Sequence, residues 1–276
     1  MKHPIPILLI LLFSLCPVGH AQASAPAENI TRQEYQDPNT KTSAPYLLYT
    51  PTAVPEPEKR ALLIFLYGAG GSIENYNIKR PPYAQLRAQW SDRGYHMIVP
   101  ELGKQHFMSD QAKATLDGIV AQVLAQQQIP ASRVHVMGTS MGAGSSLAYA
   151  IHRPNLIQSV CAVMPMTDFA TWVVENPRYH DPVAKAYGGT YEEKPGAYDR
   201  NSAIKNVDAF AKIPVMLIHG NADPVVVYEN SQRLARLLQE KNYPVTFLTA
   251  EGQAHKDDVM QPYQSQAMAF FEAAME

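Results

Sequence analysis

Cysteine is nearly absent from this chain of 276 residues, which contains only Cys16 and Cys161. Cys16 lies in an N-terminal segment that we predict to be removed, so the remaining chain keeps one thiol and cannot form an internal disulfide. Cys161 lies in an apolar stretch typical of a buried strand, which predicts an inert thiol. The histidines are scattered and show no zinc-site spacing with cysteine, so the sequence predicts no metal and no cofactor.

Long apolar runs are also missing, apart from a short one at residues 5–18. It follows a positively charged start (MKH) and precedes AQA at residues 21–23, an A-x-A pattern typical of a signal-peptide cleavage site. The run is shorter than the ~20 residues that a membrane-spanning helix needs. We therefore predict a signal peptide over residues 1–23, a secreted or periplasmic protein and no membrane span.

Neither sign of charge is in large excess. The 23 lysines and arginines nearly balance 25 aspartates and glutamates, for a formal net charge of −2. Such a balance gives no support for nucleic acid or an anionic membrane as a partner. The expected partner is a small-molecule or carbohydrate substrate, and the composition leaves the oligomeric state open.

Strands and helices are predicted to alternate along residues 24–276, which we interpret as one α/β domain. This alternation implies right-handed crossovers and a mostly parallel, twisted sheet with helices on both faces. Residues 24–34 are predicted to form a polar, mobile leader. The predicted strands cover residues 46–50, 61–67, 95–100, 134–138, 159–164, 215–219 and 245–249. The predicted helices cover residues 83–93, 109–128, 141–152, 229–241 and 257–274.

A G-x-S-x-G pentapeptide at residues 138–142 is the most informative motif, because it joins an apolar strand to a helix of small residues. A serine on such a sharp strand-to-helix turn has a strained backbone, and only small neighbours allow the close approach that the turn requires. The turn lifts the hydroxyl of Ser140 above the sheet edge and points the amide of Met141 at the same place. The motif predicts that Ser140 is a nucleophile.

Acidic and histidine side chains follow the ends of later predicted strands. Asp223 comes shortly after the strand at residues 215–219, and His255 follows the last strand. Because the carboxyl ends of parallel strands lie along one edge of a sheet, both side chains are expected near Ser140. Asp168 also follows a strand directly and is an alternative position for the acid.

These motifs together resemble the α/β-hydrolase superfamily, and the resemblance covers nearly the whole chain after residue 23. The superfamily orders its triad serine, acid, histidine along the chain. The resemblance therefore implies a catalytic triad of Ser140, Asp223 and His255. The loop GNAD at residues 220–223 matches the acid loop of the superfamily, which favours Asp223 over Asp168. Asp168 is then expected to cap a local turn.

A glycine-rich turn follows the apolar strand at residues 61–67, where lipases and esterases of the superfamily carry an HGGG-type motif. The resemblance implies an oxyanion hole formed by the amides of Ala69 and Met141, with the amide of Gly70 as an additional donor. Tyr67 stands where those enzymes often have histidine. We assign Tyr67 and Gly70 to the substrate pocket.

Residues 167–206 interrupt the alternation of strands and helices and are rich in turn residues and aromatics. In the α/β-hydrolase fold, an insertion at this place commonly covers the nucleophile and shapes the pocket. We therefore predict a short cap here. Trp172 is the predicted aromatic platform for the substrate, and a packing role is an equal alternative.

Residues 201–226 resemble the branch of the superfamily related to prolyl oligopeptidase, which includes peptidases with a propeller domain and small esterases of acetylated or feruloylated carbohydrate. The resemblance implies that His255 takes the proton of Ser140 and that an acyl-enzyme forms. We expect hydrolysis of carboxylic esters, because the chain leaves no room for a propeller. A small serine peptidase is the first alternative, and a non-catalytic binding protein with the same fold is the second.

Overall fold

One sheet of eight strands organises the computed structural model, which describes residues 28–74 and 81–275. The predicted signal peptide, residues 1–23, lies outside the described residues. The strands are β1 (Glu28–Gln36), β2 (Ser43–Pro51), β3 (Leu62–Leu66), β4 (His96–Pro100), β5 (Val134–Thr139), β6 (Ile157–Val163), β7 (Val215–Gly220) and β8 (Val245–Ala250). Their order is β1-β2-β4-β3-β5-β6-β7-β8. The β1–β2 and β2–β4 pairs are antiparallel and the others are parallel, which confirms the mostly parallel sheet.

Helices cover the sheet on both faces. The α-helices of the described residues are α1 (Pro81–Asp92), α2 (Asp110–Gln127), α3 (Met141–His152), α4 (Phe169–Glu175), α5 (His180–Tyr187), α6 (Pro195–Asp199), α7 (Glu229–Glu240) and α8 (Gln264–Ala273). Side chains alternate along β3, so that Leu63 packs in the core beneath α1 and α8, while Leu62 and Ile64 pack in the core beneath α2, α3 and α7. The parallel strands β3 to β7 are therefore buried along almost their whole length.

The carboxyl ends of the parallel strands meet at one edge of the sheet. In register, Thr139 of β5 lies beside Val163 of β6, and Gly220 of β7 lies beside Ala250 of β8. The loops that leave β3, β5, β7 and β8 therefore emerge together, and they carry the predicted site residues.

The predicted leader is wrong from residue 28 onward. Residues Glu28–Gln36 form β1, which pairs with β2 along its whole length as an edge strand. Most of its side chains are exposed or half-buried, with Ile30 and Tyr35 packed against the core. A strand at the sheet edge can be this polar, because its pairing rests on the backbone, and its sequence then carries little apolar alternation.

The last predicted helix is shorter than expected. Residues Asp257–Tyr263 form a 3-10 segment, and α8 begins only at Gln264. Pro262 explains the difference, since it lacks a backbone donor and its ring would clash with the preceding turn of an α-helix.

Short helices fill the connection between β6 and β7, where the cap was predicted. The segment packs through aromatic contacts, with Phe169 edge-on to Tyr187 at 5.8 Å between ring centroids. The hydroxyl of Tyr187 donates to the carbonyl oxygen of Phe107 at 3.0 Å, which ties the segment to the loop after β4.

Cys161 on β6 is fully buried and unpaired, as predicted, and burial raises the pKa of its thiol. None of the helices in residues 28–74 and 81–275 is long and apolar enough to cross a bilayer.

Candidate active site

The turn between β5 and α3 holds Ser140 in a strained conformation, with φ 53° and ψ −120°. Glycines stand two residues before and two residues after Ser140, because the turn leaves no room for side chains at these positions. A Cβ on Gly142 would lie 2.0 Å from the carbonyl oxygen of Leu66, and one on Gly138 would lie 2.2 Å from the carbonyl oxygen of Gly142. The strain is maintained by the packing of α3 against the end of β3.

A continuous chain of hydrogen bonds joins the three side chains of the predicted triad. The Nε2 atom of His255 lies 2.8 Å from Oγ of Ser140, and its Nδ1 atom lies 2.6 Å from Oδ2 of Asp223. Since an ionised carboxylate only accepts hydrogen bonds, Nδ1 carries the proton and Nε2 is free to accept one from the serine hydroxyl. The structure thus brings together residues from the loops after β5, β7 and β8.

The carboxylate of Asp223 is fully buried and surrounded by donors. Its Oδ1 atom accepts from the amides of Val225 at 2.8 Å and Val226 at 2.9 Å. Burial by itself would raise the pKa of Asp223. Hydrogen bonds from His219 and His255, with that from Val225, outweigh this effect and hold the pKa well below its ordinary value. Asp223 is therefore ionised whenever the protein is folded near neutral pH.

Asp168, the alternative acid, has a different role. It is the N-cap residue of α4, where its carboxylate accepts from the amide of Thr171 at 3.4 Å and from the hydroxyl of Thr171 at 2.9 Å. No hydrogen bond or ion pair joins Asp168 to His255 in the described part of the chain.

The loop after β3 brings the amide of Ala69 to the site. Ala69 lines the same cavity as Ser140, and Met141 begins α3 directly after the nucleophile. Within the described residues, neither amide donates to a protein acceptor, so both remain available for an oxyanion. The amide of Gly70 donates to the carbonyl oxygen of Lys104 at 2.7 Å and is therefore occupied.

The structure gives Tyr67 and Gly70, the predicted pocket residues, contacts with other parts of the chain. Neither residue is among those that line the cavity at Ser140. Tyr67 is 1% exposed, and its hydroxyl donates to Oε1 of Glu101 at 2.5 Å while accepting from the amide of Leu102 at 3.1 Å. Glu101 also accepts from the amide of Ile73 at 3.2 Å. Through Glu101, Tyr67 is thus connected to Ile73, which follows the glycine-rich turn.

Trp172 takes the packing role that was left open for it. It is 2% exposed, and its indole Nε1 donates to the carbonyl oxygen of Val225 at 3.2 Å. Its ring stacks on that of Tyr179, with 4.8 Å between centroids, and Tyr179 is the aromatic that lines the cavity. Sequence analysis missed Tyr179, and the only signal was its place in an aromatic-rich segment.

The cavity at Ser140 has a volume of about 410 Å³. Its rim carries the cations of Arg178 and Lys256 and the carboxylate of Asp257. The Arg178 guanidinium lies over the ring of Tyr179, 4.8 Å from its centroid. The remaining lining residues include Gly68, Thr139, Met164 and Val225. A larger cavity of about 590 Å³, lined in part by His106 and Arg200, contains none of the triad.

A model of the prolyl oligopeptidase family matches residues 88–276. Dipeptidyl peptidase family member 2 of Caenorhabditis elegans is 26% identical over 224 residues, which cover 76% of this chain and 26% of that protein. The chain spans about a fifth to a quarter of the length of the dipeptidyl peptidases that it matches.

Two solved structures of similar size share the fold. An S-formylglutathione hydrolase from Agrobacterium tumefaciens superposes with a TM-score of 0.73 at 15% identity, covering 92% of this chain and 98% of that one. A ferulic acid esterase superposes with a TM-score of 0.70 at 12% identity, covering 90% of this chain and 99% of that one. At these identities the likeness shows the fold, that of the α/β-hydrolases.

Proposed function

The chain belongs to the prolyl oligopeptidase family, which consists of serine hydrolases of the α/β-hydrolase superfamily, and we propose that it hydrolyses carboxylic esters through an acyl-enzyme on Ser140. The observation that carries the proposal is the hydrogen-bonded chain from Ser140 through His255 to the buried, ionised Asp223. A serine hydroxyl is a weak nucleophile without an adjacent base, and this arrangement supplies one in the correct tautomer.

The reaction begins when Oγ of Ser140 attacks the acyl carbon and its proton passes to Nε2 of His255. The carbonyl oxygen becomes an oxyanion, for which the amides of Ala69 and Met141 are the available donors, while Asp223 stabilises the imidazolium. The imidazolium then returns its proton to the departing alkoxide, which leaves as the alcohol. Water attacks the acyl-enzyme with His255 again as base, and the carboxylic acid is released as Ser140 regains its proton.

The charge around the cavity favours esters over peptides with a free N-terminus. Such a peptide brings an ammonium group, which needs carboxylate partners in the site. The described rim offers two cations, Arg178 and Lys256, against the single carboxylate of Asp257. Two neighbours that match along nearly their whole length are a hydrolase of S-formylglutathione and a ferulic acid esterase, which also supports the proposal.

Acetyl and feruloyl esters of carbohydrate are the substrate classes that we propose. Tyr179 adds an aromatic ring to the cavity lining, which a planar aromatic acyl group can contact, while an acetyl group needs only the space next to Ser140. A small serine peptidase is the second candidate, because the family model and the dipeptidyl peptidases point to peptide bonds. The predicted signal peptide leads us to propose export to the periplasm or the exterior.

A paired substrate screen tests the ester proposal. We expect p-nitrophenyl acetate and methyl ferulate to be hydrolysed, and aminoacyl p-nitroanilides to react at least a hundredfold more slowly in kcat/KM. Ser140→Ala is the matched control and should abolish both turnover and labelling by a fluorophosphonate probe. Faster cleavage of the anilides would establish the peptidase instead. An unlabelled wild-type protein would show that Ser140 is not a nucleophile.

A further inference from the structure

His219, a buried histidine outside the triad, contacts the acid of the triad. His219 lies on β7, four residues before Asp223, and its side chain is fully buried. Its Nε2 atom lies 2.8 Å from the carbonyl oxygen of Val226 and 3.2 Å from Oδ2 of Asp223. The same Oδ2 atom accepts the hydrogen bond from His255. One carboxylate oxygen is thus held between two imidazoles.

The partners of His219 determine which of its nitrogen atoms carries the proton. Both atoms facing Nε2, a carbonyl oxygen and a carboxylate oxygen, are acceptors, so Nε2 must be the donor. The Nδ1 atom lies 2.7 Å from Oγ of Ser231 on α7, and this serine is also fully buried. In the neutral imidazole, Nδ1 is an acceptor, and the Ser231 hydroxyl supplies its hydrogen bond. The tautomer that donates to Asp223 is the one that Ser231 supports.

A comparable pair elsewhere in the sheet lacks this connection. His135 on β5 is fully buried, and its Nδ1 atom lies 2.8 Å from Oγ of Ser159 on β6. Its Nε2 atom has no hydrogen-bond partner in the described part of the chain. The His135–Ser159 pair therefore packs within the sheet without reaching the triad. The His219–Ser231 pair, in contrast, contacts Asp223, the acid of the triad.

We infer that His219 is a positioning residue for the reaction: its Nε2 donor fixes the orientation of the Asp223 carboxylate, and Ser231 fixes the tautomer of His219. Two amides already hold Oδ1 of Asp223, and the Nε2–H of His219, which it shares with the carbonyl oxygen of Val226, is the second donor beside Oδ2. With Oδ2 restrained, the 2.6 Å contact to Nδ1 of His255 keeps the imidazole aligned with Ser140. The inference rests on the proposed function, since it assigns a role around the same nucleophile.

The test compares the effect of replacing His219 on the reaction rate when the Asp223 carboxylate is present and when it is replaced by an amide. His219→Leu removes the donor, and we expect kcat and the rate constant of fluorophosphonate labelling to fall roughly tenfold to a hundredfold, the scale of losing one hydrogen bond to a charged group, with KM unchanged. His219→Gln retains a side-chain donor and should recover most of this loss. In an Asp223→Asn background, His219→Leu should have no further effect on either rate.

The control separates positioning from stability. His135→Leu removes the matched buried histidine and should lower the melting temperature without lowering kcat per folded protein. Should His219→Leu fail to fold, Ser231→Ala serves in its place and should lower kcat severalfold in the wild-type background and not in Asp223→Asn. Equal losses in both backgrounds, or a loss shared by His135→Leu, would overturn the inference. Failure of wild-type labelling would instead overturn the proposed function, and is measured first.

Discussion

Asp223 combines two properties that are hard to obtain together, full burial and ionisation. A carboxylate without partners would take up a proton in such a place, because desolvation penalises its charge. Here the amides of Val225 and Val226 and the two imidazoles supply the missing solvation. The negative charge is thus retained next to His255, where an imidazolium forms during the reaction.

Asp223→Asn is expected to lower kcat by about 10⁴, the scale known for the same change in a serine protease triad. The asparagine amide would donate to Nδ1 of His255 and force the proton onto Nε2, which could then no longer accept from Ser140. Steady-state kinetics with a p-nitrophenyl ester measure the loss. Asp168→Asn is the matched control, since Asp168 is 7% exposed and Asp223 is 6% exposed. A comparable loss of kcat in Asp168→Asn would show that the acid has been assigned to the wrong residue.

At the scale of elements, the site depends on how closely α3 packs against the end of β3. Gly142 lies against the backbone of Leu66 and Tyr67, so helix and strand approach without a side chain between them. The same contact sets the distance between Ser140 and the glycine-rich loop that carries Ala69. The spacing of the nucleophile and the proposed oxyanion donors is therefore a property of the packing of two elements.

Gly142→Ala is expected to destabilise the protein by about 1–3 kcal/mol, as overpacking typically does, and to lower kcat by more than the fraction unfolded explains. Its Cβ would lie 2.0 Å from a carbonyl oxygen of β3, so strand and helix must separate. Urea denaturation and turnover per folded protein measure the two effects. Gly196→Ala in α6 is the control, because a Cβ there meets nothing within 4 Å. Wild-type kinetics in Gly142→Ala would contradict this account.

The elements also show how far the sequence could be interpreted. The triad was predictable because each member follows an apolar strand and strand ends of a parallel sheet share one edge. Tyr179 was not singled out, because its place depends on the path of the irregular connection between β6 and β7. His219 was not singled out, because its contact with Asp223 depends on the conformation of the turn after β7. β1 was missed because an edge strand needs few apolar residues.

At the scale of the whole molecule, several histidines are buried as neutral groups in the core. Burial lowers the pKa of His96 to about 4 and the pKa values of His106 and His135 to about 3. In the unfolded chain, histidine titrates near 6.5. Between these values the unfolded chain binds more protons than the folded protein, so the free energy of unfolding must fall as the pH falls through this range.

We therefore expect the free energy of unfolding to begin to fall below about pH 6.5. This pH lies well above the range in which the Asp223 carboxylate takes up a proton. Each of these histidines contributes a slope that approaches ~1.4 kcal/mol per pH unit once the pH is below the unfolded value and above the folded one. Urea denaturation at pH 8, 6 and 5 measures the slope. Replacing His135 by glutamine removes one titrating group, and the variant should lose stability less steeply between pH 6 and 5 than the wild type, even if it is less stable at pH 8. A free energy of unfolding that stays constant from pH 8 to 5 would mean that these imidazoles take up protons within the folded protein.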